Sequence, residues 1–160
     1  MQLTPFLTTD YVKLLEWITS EELNFQWGGP VYRYPLTIEQ VSTHCAQPDI
    51  FPYLLNINGT SAGFIELRRL SAHQGRICRV FVDPSFRGQG VAKTMIERLI
   101  AKTQHELGYR YLSLSVFQHN HHAKQCYESL GFKVVSEQHA IQAPNNATWS
   151  AYEMVKVIGH

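Results

Sequence analysis

The chain has 160 residues, of which 44 % are hydrophobic and 17 % are charged, and its formal net charge is +1. This composition is typical of a globular protein, and we expect one domain spanning residues 1–160 with its own hydrophobic core. The near-neutral charge gives no electrostatic reason to expect nucleic acid or a membrane as a partner. The three cysteines are far apart, which favours free thiols and a cytoplasmic location.

The N-terminal third predicts a strand, a helix and a loop. Leu3 to Leu7 is a short apolar run that predicts the first strand. Thr8 or Thr9 is a candidate cap for a helix that continues through Ile18. Asn24 to Pro35 combines glycine, proline and aromatic residues and predicts a loop.

A short helix and a hairpin follow. Thr37 to Gln40 has the pattern of a capping box and predicts a helix that ends near Ala46. Asn58-Gly59 is typical of a tight turn and predicts a hairpin between strands at Tyr53 to Ile57 and Ala62 to Leu70.

The second half alternates strands and helices. Val91 to Leu107 has the apolar spacing of an amphipathic helix. The remaining strands are predicted at Arg76 to Val82, Tyr111 to Val116, Lys133 to Gln138 and Thr148 to Val155. We therefore expect an α/β (α+β) fold: a mixed, mostly antiparallel central sheet of about seven strands with helices on both faces.

The most informative segment is the glycine-containing loop from Arg87 to Ala92, between a predicted strand and a predicted helix. Such a loop leaves several backbone N–H groups unpaired at the start of a helix, where the helix dipole favours an anion. This arrangement predicts a site for a phosphate or pyrophosphate group. Gly90 is not followed by Lys-Ser/Thr, and Lys93 stands where a dinucleotide fingerprint has its third glycine, which argues against ATP or NAD.

A second motif lies about 30 residues downstream. Asn120 is a candidate helix cap, and Ala123, Tyr127 and Leu130 share one face at helical spacing. Gly131 is suited to end this helix in a left-handed conformation.

Both motifs resemble those of the GNAT N-acetyltransferase superfamily. Residues 87–92 fit its acyl-coenzyme A loop, Arg/Gln-x-x-Gly-x-Gly/Ala. Residues 120–132 fit its second motif, Asn-x-x-Ala-x-x-x-Tyr-x-x-x-Gly-Phe. The resemblance implies a small, bacterial-type, single-domain member of this family, in whose fold two central strands splay apart around the acyl chain.

The resemblance also implies the activity and the cofactor. It implies an acetyl-CoA-dependent N-acetyltransferase, monomeric or homodimeric, whose acceptor is a primary amine of a small molecule or a protein N-terminus. The amine would attack directly within a ternary complex. Tyr127 would be the general acid that protonates the departing sulfur. The cofactor would be held by Phe81, Val82, Arg87, Gly88, Gln89, Gly90, Val91, Ala92, Asn120, Ala123 and Tyr127.

The general base is not evident from the resemblance. Arg76 and Ser115 occupy the two positions at which members of the family carry a glutamate. Glu66 is the nearest remaining carboxylate and a candidate catalytic base, acting directly or through a water molecule. Two alternatives stay open: Glu66 is a solvent-facing residue of an alternating strand, or the amine enters already neutral and no base is needed.

Aromatic residues are the candidates for binding the acceptor. Trp27, Tyr32 and Tyr34 lie in the predicted loop, where binding residues are common, and Phe117 is a candidate for the pocket wall. Glu21 and Glu22 precede this loop and are the carboxylates available to a polycation. No metal is expected, because the histidines at 119, 121 and 122 fit a polar loop better than a set of ligands.

A non-catalytic acyl-CoA-binding sensor is the alternative function, and it is motivated by the arginine at 76 and the serine at 115. Turnover with an amine distinguishes an enzyme from such a module.

Overall fold

A seven-stranded sheet organises the computed structural model, which describes residues 1–159. In chain order the strands are β1 (Gln2–Pro5), β2 (Ile50–Ile57), β3 (Thr60–Arg69), β4 (Gln74–Val82), β5 (Tyr111–Phe117), β6 (Lys133–Gln142) and β7 (Thr148–Val157). Their spatial order is β1-β2-β3-β4-β5-β7-β6, and β4 and β5 are parallel whereas the other neighbours are antiparallel. The predicted mixed, mostly antiparallel sheet is confirmed.

Helices cover both faces of this sheet, as predicted. They are α1 (Tyr11–Trp17), α2 (Glu21–Gly28), α3 (Ile38–Cys45), α4 (Val91–His105) and α5 (His121–Ser129). Successive residues of a strand point to opposite faces. Accordingly, Ile65 of β3 belongs to the core under α4 and α5, whereas Phe64 belongs to the core under α1, α2 and α3. Within residues 1–159, the helices are too short or too polar to span a membrane.

The predicted loop from Asn24 to Pro35 is wrong in its first five residues, which belong to α2. Ser20 caps this helix, since its hydroxyl accepts a hydrogen bond from the N–H of Leu23 at 3.1 Å. Glu21 and Glu22 in the first turn complement the helix dipole. The helix ends at Gly28 because Gly29 has a positive φ of 61°.

The first helix also begins later than predicted. Residues 8–10 form a 3₁₀ turn in which the Asp10 carboxylate, and not a threonine, accepts the N–H of Leu7 at 2.8 Å. The predicted helix start at Thr37 is confirmed, since its hydroxyl accepts the N–H of Gln40 at 3.2 Å. The predicted capping box is wrong in its second half, because the Gln40 side chain binds the backbone of Arg33 and Pro35 and not the N–H of Thr37. The hairpin turn at Asn58-Gly59 is confirmed. Strands β2 and β6 are longer than predicted because residues 50–52 continue the pairing of β2, and residues 141–142 resume the pairing of β6 after an irregularity.

The feature that positions the site is the separation of β4 from β5. These parallel strands pair only over Gln74–Arg76 and Tyr111–Ser113. Beyond that point β4 stays paired with β3, and β5 stays paired with β7. The sheet is therefore open along the C-terminal halves of its two central strands.

Candidate active site

A cleft of about 450 Å³ occupies the opening between β4 and β5. Both strands line it, together with residues of α2, Asn120 at the start of α5, and Tyr127. Because β4 has no strand partner on this side after Arg76, its backbone groups that point away from β3 face the cleft. The cleft therefore offers polar backbone atoms and a tyrosine in one enclosed space.

An anion site lies at the end of β4. Six consecutive backbone N–H groups, those of residues 88–93, find no acceptor among the described residues. Gly88 and Gly90 have positive φ angles of 75° and 72°, and an added Cβ at either would meet open space. These N–H groups lie at the N-terminus of α4, where the positive end of the dipole of this 15-residue helix also points. This arrangement fits a phosphate or pyrophosphate.

Arg87 fastens the loop to the strand that precedes it. Its Nε donates to the carbonyl of Val82 at 3.2 Å, and its guanidinium carbon lies 5.6 Å from the centroid of the Phe81 ring. Arg87 is exposed, whereas Phe81 is buried under α1 and α2. The arginine thus stabilises the loop through its side chain while the following N–H groups stay free.

The second motif forms α5, as expected. The Asn120 side chain accepts the N–H of Ala123 at 3.4 Å, and the helix ends before Gly131, whose φ is 93°. Tyr127 is 8 % exposed, packs edge-on against Phe132 and lines the cleft. Burial raises the pKa of the Tyr127 phenol, so this side chain stays protonated at neutral pH.

Glu66 is completely buried, so the expectation of a solvent-facing residue is wrong. Its Oε1 lies 2.9 Å from Nε2 of His44, and its Oε2 accepts hydrogen bonds from Nε and Nη2 of Arg79, the former at 2.9 Å. Burial alone would raise the pKa of this carboxyl group. The hydrogen bonds from His44 and Arg79, with the charge of Arg79, outweigh burial and hold the pKa below its ordinary value.

The partner of Glu66 sits in a β-bulge at the cleft. Arg79 and Val80 of β4 both lie opposite Ile65 of β3, and Arg79 has a left-handed φ of 52°. The indole N–H of Trp27 donates to the carbonyl of Arg79 at 3.0 Å, and the Arg79 guanidinium donates to the carbonyl of Gly28. Arg79 therefore ties the bulged strand to its surroundings twice: its guanidinium binds Glu66 and α2, and its backbone carbonyl binds Trp27 of α2.

Arg76 and Ser115, at the two positions where members of the resembled family carry a glutamate, lie near a carboxylate from a third strand. Glu153 of β7 is the cross-strand partner of Ser115, so the two side chains lie on one face. Both oxygens of Glu153 bind the Arg76 guanidinium, one at 3.1 Å, and Arg76 also donates to Ser113 at 3.3 Å. This ion pair lies where β4 and β5 separate, and its arginine lines the cleft.

The four aromatic residues expected to bind the acceptor are not brought together. Trp27 and Phe117 line the cleft. Tyr32 is buried in the core, stacked on Trp27 and edge-on to His44, and in the described chain it lies outside the cleft. Tyr34 is 40 % exposed at the surface, where its hydroxyl donates to the carbonyl of Thr19 at 2.7 Å.

Phe117 instead joins a different group, which we call the aromatic wall: Phe25, Phe117, His119 and Trp149. The Phe25 and Phe117 rings stack with centroids 5.8 Å apart, and Trp149 packs edge-on against both, at 5.3 and 4.8 Å. The His119 ring also packs edge-on against Trp149, with ring centroids 4.7 Å apart. Sequence reasoning missed Phe25 because it missed α2, although Ser20 followed by two glutamates is a helix-start signal.

Comparison with known proteins identifies the family. Residues 13–132, three quarters of the chain, match the Acetyltransferase (GNAT) family. Similar solved structures include ribosomal-protein-S18-alanine N-acetyltransferase from Escherichia coli (21 % identity, covering 99 % of this chain and 94 % of that chain, TM-score 0.79). Another is spermidine N-acetyltransferase from Vibrio cholerae in complex with CoA and spermine (15 % identity, 98 % and 94 % coverage, TM-score 0.85). These structures share the fold, and the matched segment contains both motifs described above, so the chain belongs to the GNAT family of acetyltransferases.

Proposed function

We propose that this acetyltransferase uses acetyl-CoA as its donor and a primary amine as its acceptor. The observation that carries the proposal is the combination of six free N–H groups at the start of α4 with a cleft that runs along β4 to Tyr127. Two anionic phosphates and a long thin arm require such a combination: an anion site at one end and a narrow opening beside it. The Vibrio cholerae relative of this fold was crystallised with CoA.

The residues of the chain fit the cofactor. We propose that the N–H groups of residues 88–93 bind the pyrophosphate, and that Phe81, Val82 and the β4 backbone contact the arm of the molecule. Asn120 lines the opposite side at the start of α5, and we propose that Ala123, in the first turn of that helix, also contacts the cofactor. When bound, acetyl-CoA supplies an activated thioester carbonyl that a neutral amine attacks.

Tyr127 is proposed as the general acid. A thiol has a pKa of about 8.5, so a departing thiolate gains from a proton supplied nearby. Tyr127 lines the cleft, and burial keeps its phenol protonated. A phenol held in this state delivers a proton to sulfur and recovers one from solvent or from the acceptor nitrogen.

We assign Glu66 a positioning role. Both of its oxygens are bound to His44 and Arg79, and its pKa is lowered, so it is a poor proton acceptor. The carboxylate of Glu153 is likewise engaged on both oxygens by Arg76. We therefore propose that the acceptor enters the cleft as a neutral amine and that no side chain is dedicated to removing its proton.

The wider setting follows from the same reasoning. The described cysteines are free thiols, which suits a reducing compartment, so we propose a cytoplasmic location. We further propose that the protein is a monomer or a homodimer. The relatives named above act, by their names, on an alanine of a ribosomal protein and on spermidine, and both acceptors present a primary amine.

Release of free thiol from acetyl-CoA, measured across a panel of amines, tests this function. We expect amine-dependent release by the wild-type protein and a loss of about 10²–10⁴-fold in kcat for Tyr127→Phe. Binding of acetyl-CoA without release with any amine would instead favour the acyl-CoA sensor. If Glu66 has a positioning role, Glu66→Gln should lower the rate and leave the pH profile unchanged. If Glu66 were the catalytic base, the same substitution would remove the acidic limb of the profile.

A further inference from the structure

We infer that the acceptor is a small monoamine whose remainder is flat and apolar, such as an arylalkylamine, and not a polyamine. The inference rests on the proposed function, because it describes the second substrate of the same cleft. The observations that carry it are the charge of the cleft lining and the position of the aromatic wall.

The cleft carries no acidic side chain to receive a polycation. Of the 19 described residues that line it, none is aspartate or glutamate, and the charged ones are Arg76 and Arg79. Each arginine is already bound by a carboxylate outside the lining, Glu153 and Glu66 respectively. A polyamine with two or three ammonium groups would find no free carboxylate among the lining residues, so its additional charges would lose water without gaining a partner, which is unfavourable.

The same cleft does offer apolar surface. Phe25 and Phe117 line it, as does Ile141 of β6. Phe25, Phe117 and Trp149 are half-buried, so part of each ring is available to a ligand. Stacked and edge-on aromatic contacts add about 0.5–1.5 kcal/mol beyond the burial of area. A planar apolar substituent would extend the wall, with its amine directed along the cleft toward Tyr127.

The nearest carboxylates on α2 lie outside the lining. Glu21 and Glu22 are exposed in the first turn of the helix, about one turn before Phe25. They are the groups on which a polyamine substrate would depend, so they provide a direct comparison. We expect that replacing Glu21 and Glu22 leaves kcat/KM for the preferred acceptor unchanged.

Steady-state kinetics with three acceptors test the inference: 2-phenylethylamine, butylamine and spermidine. We expect kcat/KM for 2-phenylethylamine to exceed that for spermidine at least tenfold. Phe25→Leu should raise KM for 2-phenylethylamine about tenfold and change KM for butylamine little. Phe51→Leu is the matched control, since Phe51 is a half-buried phenylalanine of β2 outside the cleft lining, and it should leave both values unchanged.

Other outcomes separate the inference from the proposed function. A preference for spermidine that is lost in Glu21→Gln/Glu22→Gln overturns the inference and leaves an amine acetyltransferase. A preference for a short peptide with a free N-terminus over 2-phenylethylamine also overturns it. Absence of thiol release with every acceptor, in a protein that acetyl-CoA stabilises against heat, contradicts the proposed function as well.

Discussion

Replacing Glu66 with alanine should be among the most destabilising single changes in this protein. Glu66 is completely buried, and the Arg79 side chain is 8 % exposed. Loss of the carboxylate leaves the Arg79 guanidinium buried beside His44 with no anionic partner at that position. Removing one member of a buried ion pair costs about 3–5 kcal/mol, most of it from the charge that remains.

This free energy converts to a measurable change in melting temperature. In a protein of this size 1 kcal/mol shifts Tm by about 2–4 °C, so Glu66→Ala should lower Tm by about 6–20 °C. Glu106→Ala is the matched control. It breaks the exposed ion pair between Lys102 and Glu106, which are 33 % and 60 % exposed, and such pairs contribute about 0–1 kcal/mol.

Chemical denaturation of the two variants, followed by circular dichroism, gives the comparison. A double variant, Glu66→Leu/Arg79→Met, removes both charges and should recover much of the stability lost in Glu66→Ala. If Glu66→Ala unfolds within 1 kcal/mol of the wild type, as Glu106→Ala should, the account of the buried ion pair is wrong.

Three further predictions concern pH and the cofactor loop. Because folding lowers the pKa of Glu66, the contribution of this carboxylate to stability is complete above about pH 4.5 and is lost as pH falls further. Urea unfolding at pH 7 and pH 3 should show this loss of stability in the wild type and a smaller loss in Glu66→Gln. With no dedicated base, kcat/KM should rise with pH toward the pKa of the alkylammonium, about 10, and a plateau near pH 6–7 would reveal a titrating enzyme base instead. Gly90→Ala should weaken CoA binding measured by calorimetry. The control is Gly59→Ala, which strains another glycine with a positive φ of 81° and should lower stability without changing the affinity for CoA. Equal affinities for CoA in the two variants would refute the role of the loop.

Local signals in the sequence predict much of the fold. The helix start at Thr37, the Asn58-Gly59 turn and the helix that follows Gly90 are each specified by residues adjacent in the chain, and all three are confirmed. The helix α2 was missed because glycine, proline and aromatic residues after Gly28 obscured the start signal at Ser20. A prediction from local composition cannot include tertiary contacts such as that of Trp27, whose indole N–H binds β4 and helps to hold this helix against the sheet.

The pairing of side chains across strands could not be predicted in the same way. Arg76 and Glu153 are 77 residues apart, and Glu66 meets both Arg79 and His44 only because β3, β4 and α3 converge. Such partners depend on strand order and on the bulge at Arg79. The sequence therefore indicates that carboxylates are missing at two expected positions, but not that a third strand supplies one between them.

The central claim is that residues 87–92 and the adjoining cleft bind acetyl-CoA, and thermal unfolding with acetyl-CoA, CoA, ATP and NAD side by side tests it most directly. A ligand at about 100 times its Kd stabilises the folded state by about 2.7 kcal/mol. The account predicts that acetyl-CoA and CoA raise Tm by about 5–11 °C and that ATP and NAD raise it far less. No shift with acetyl-CoA or CoA, or an equal shift with ATP or NAD, would contradict it.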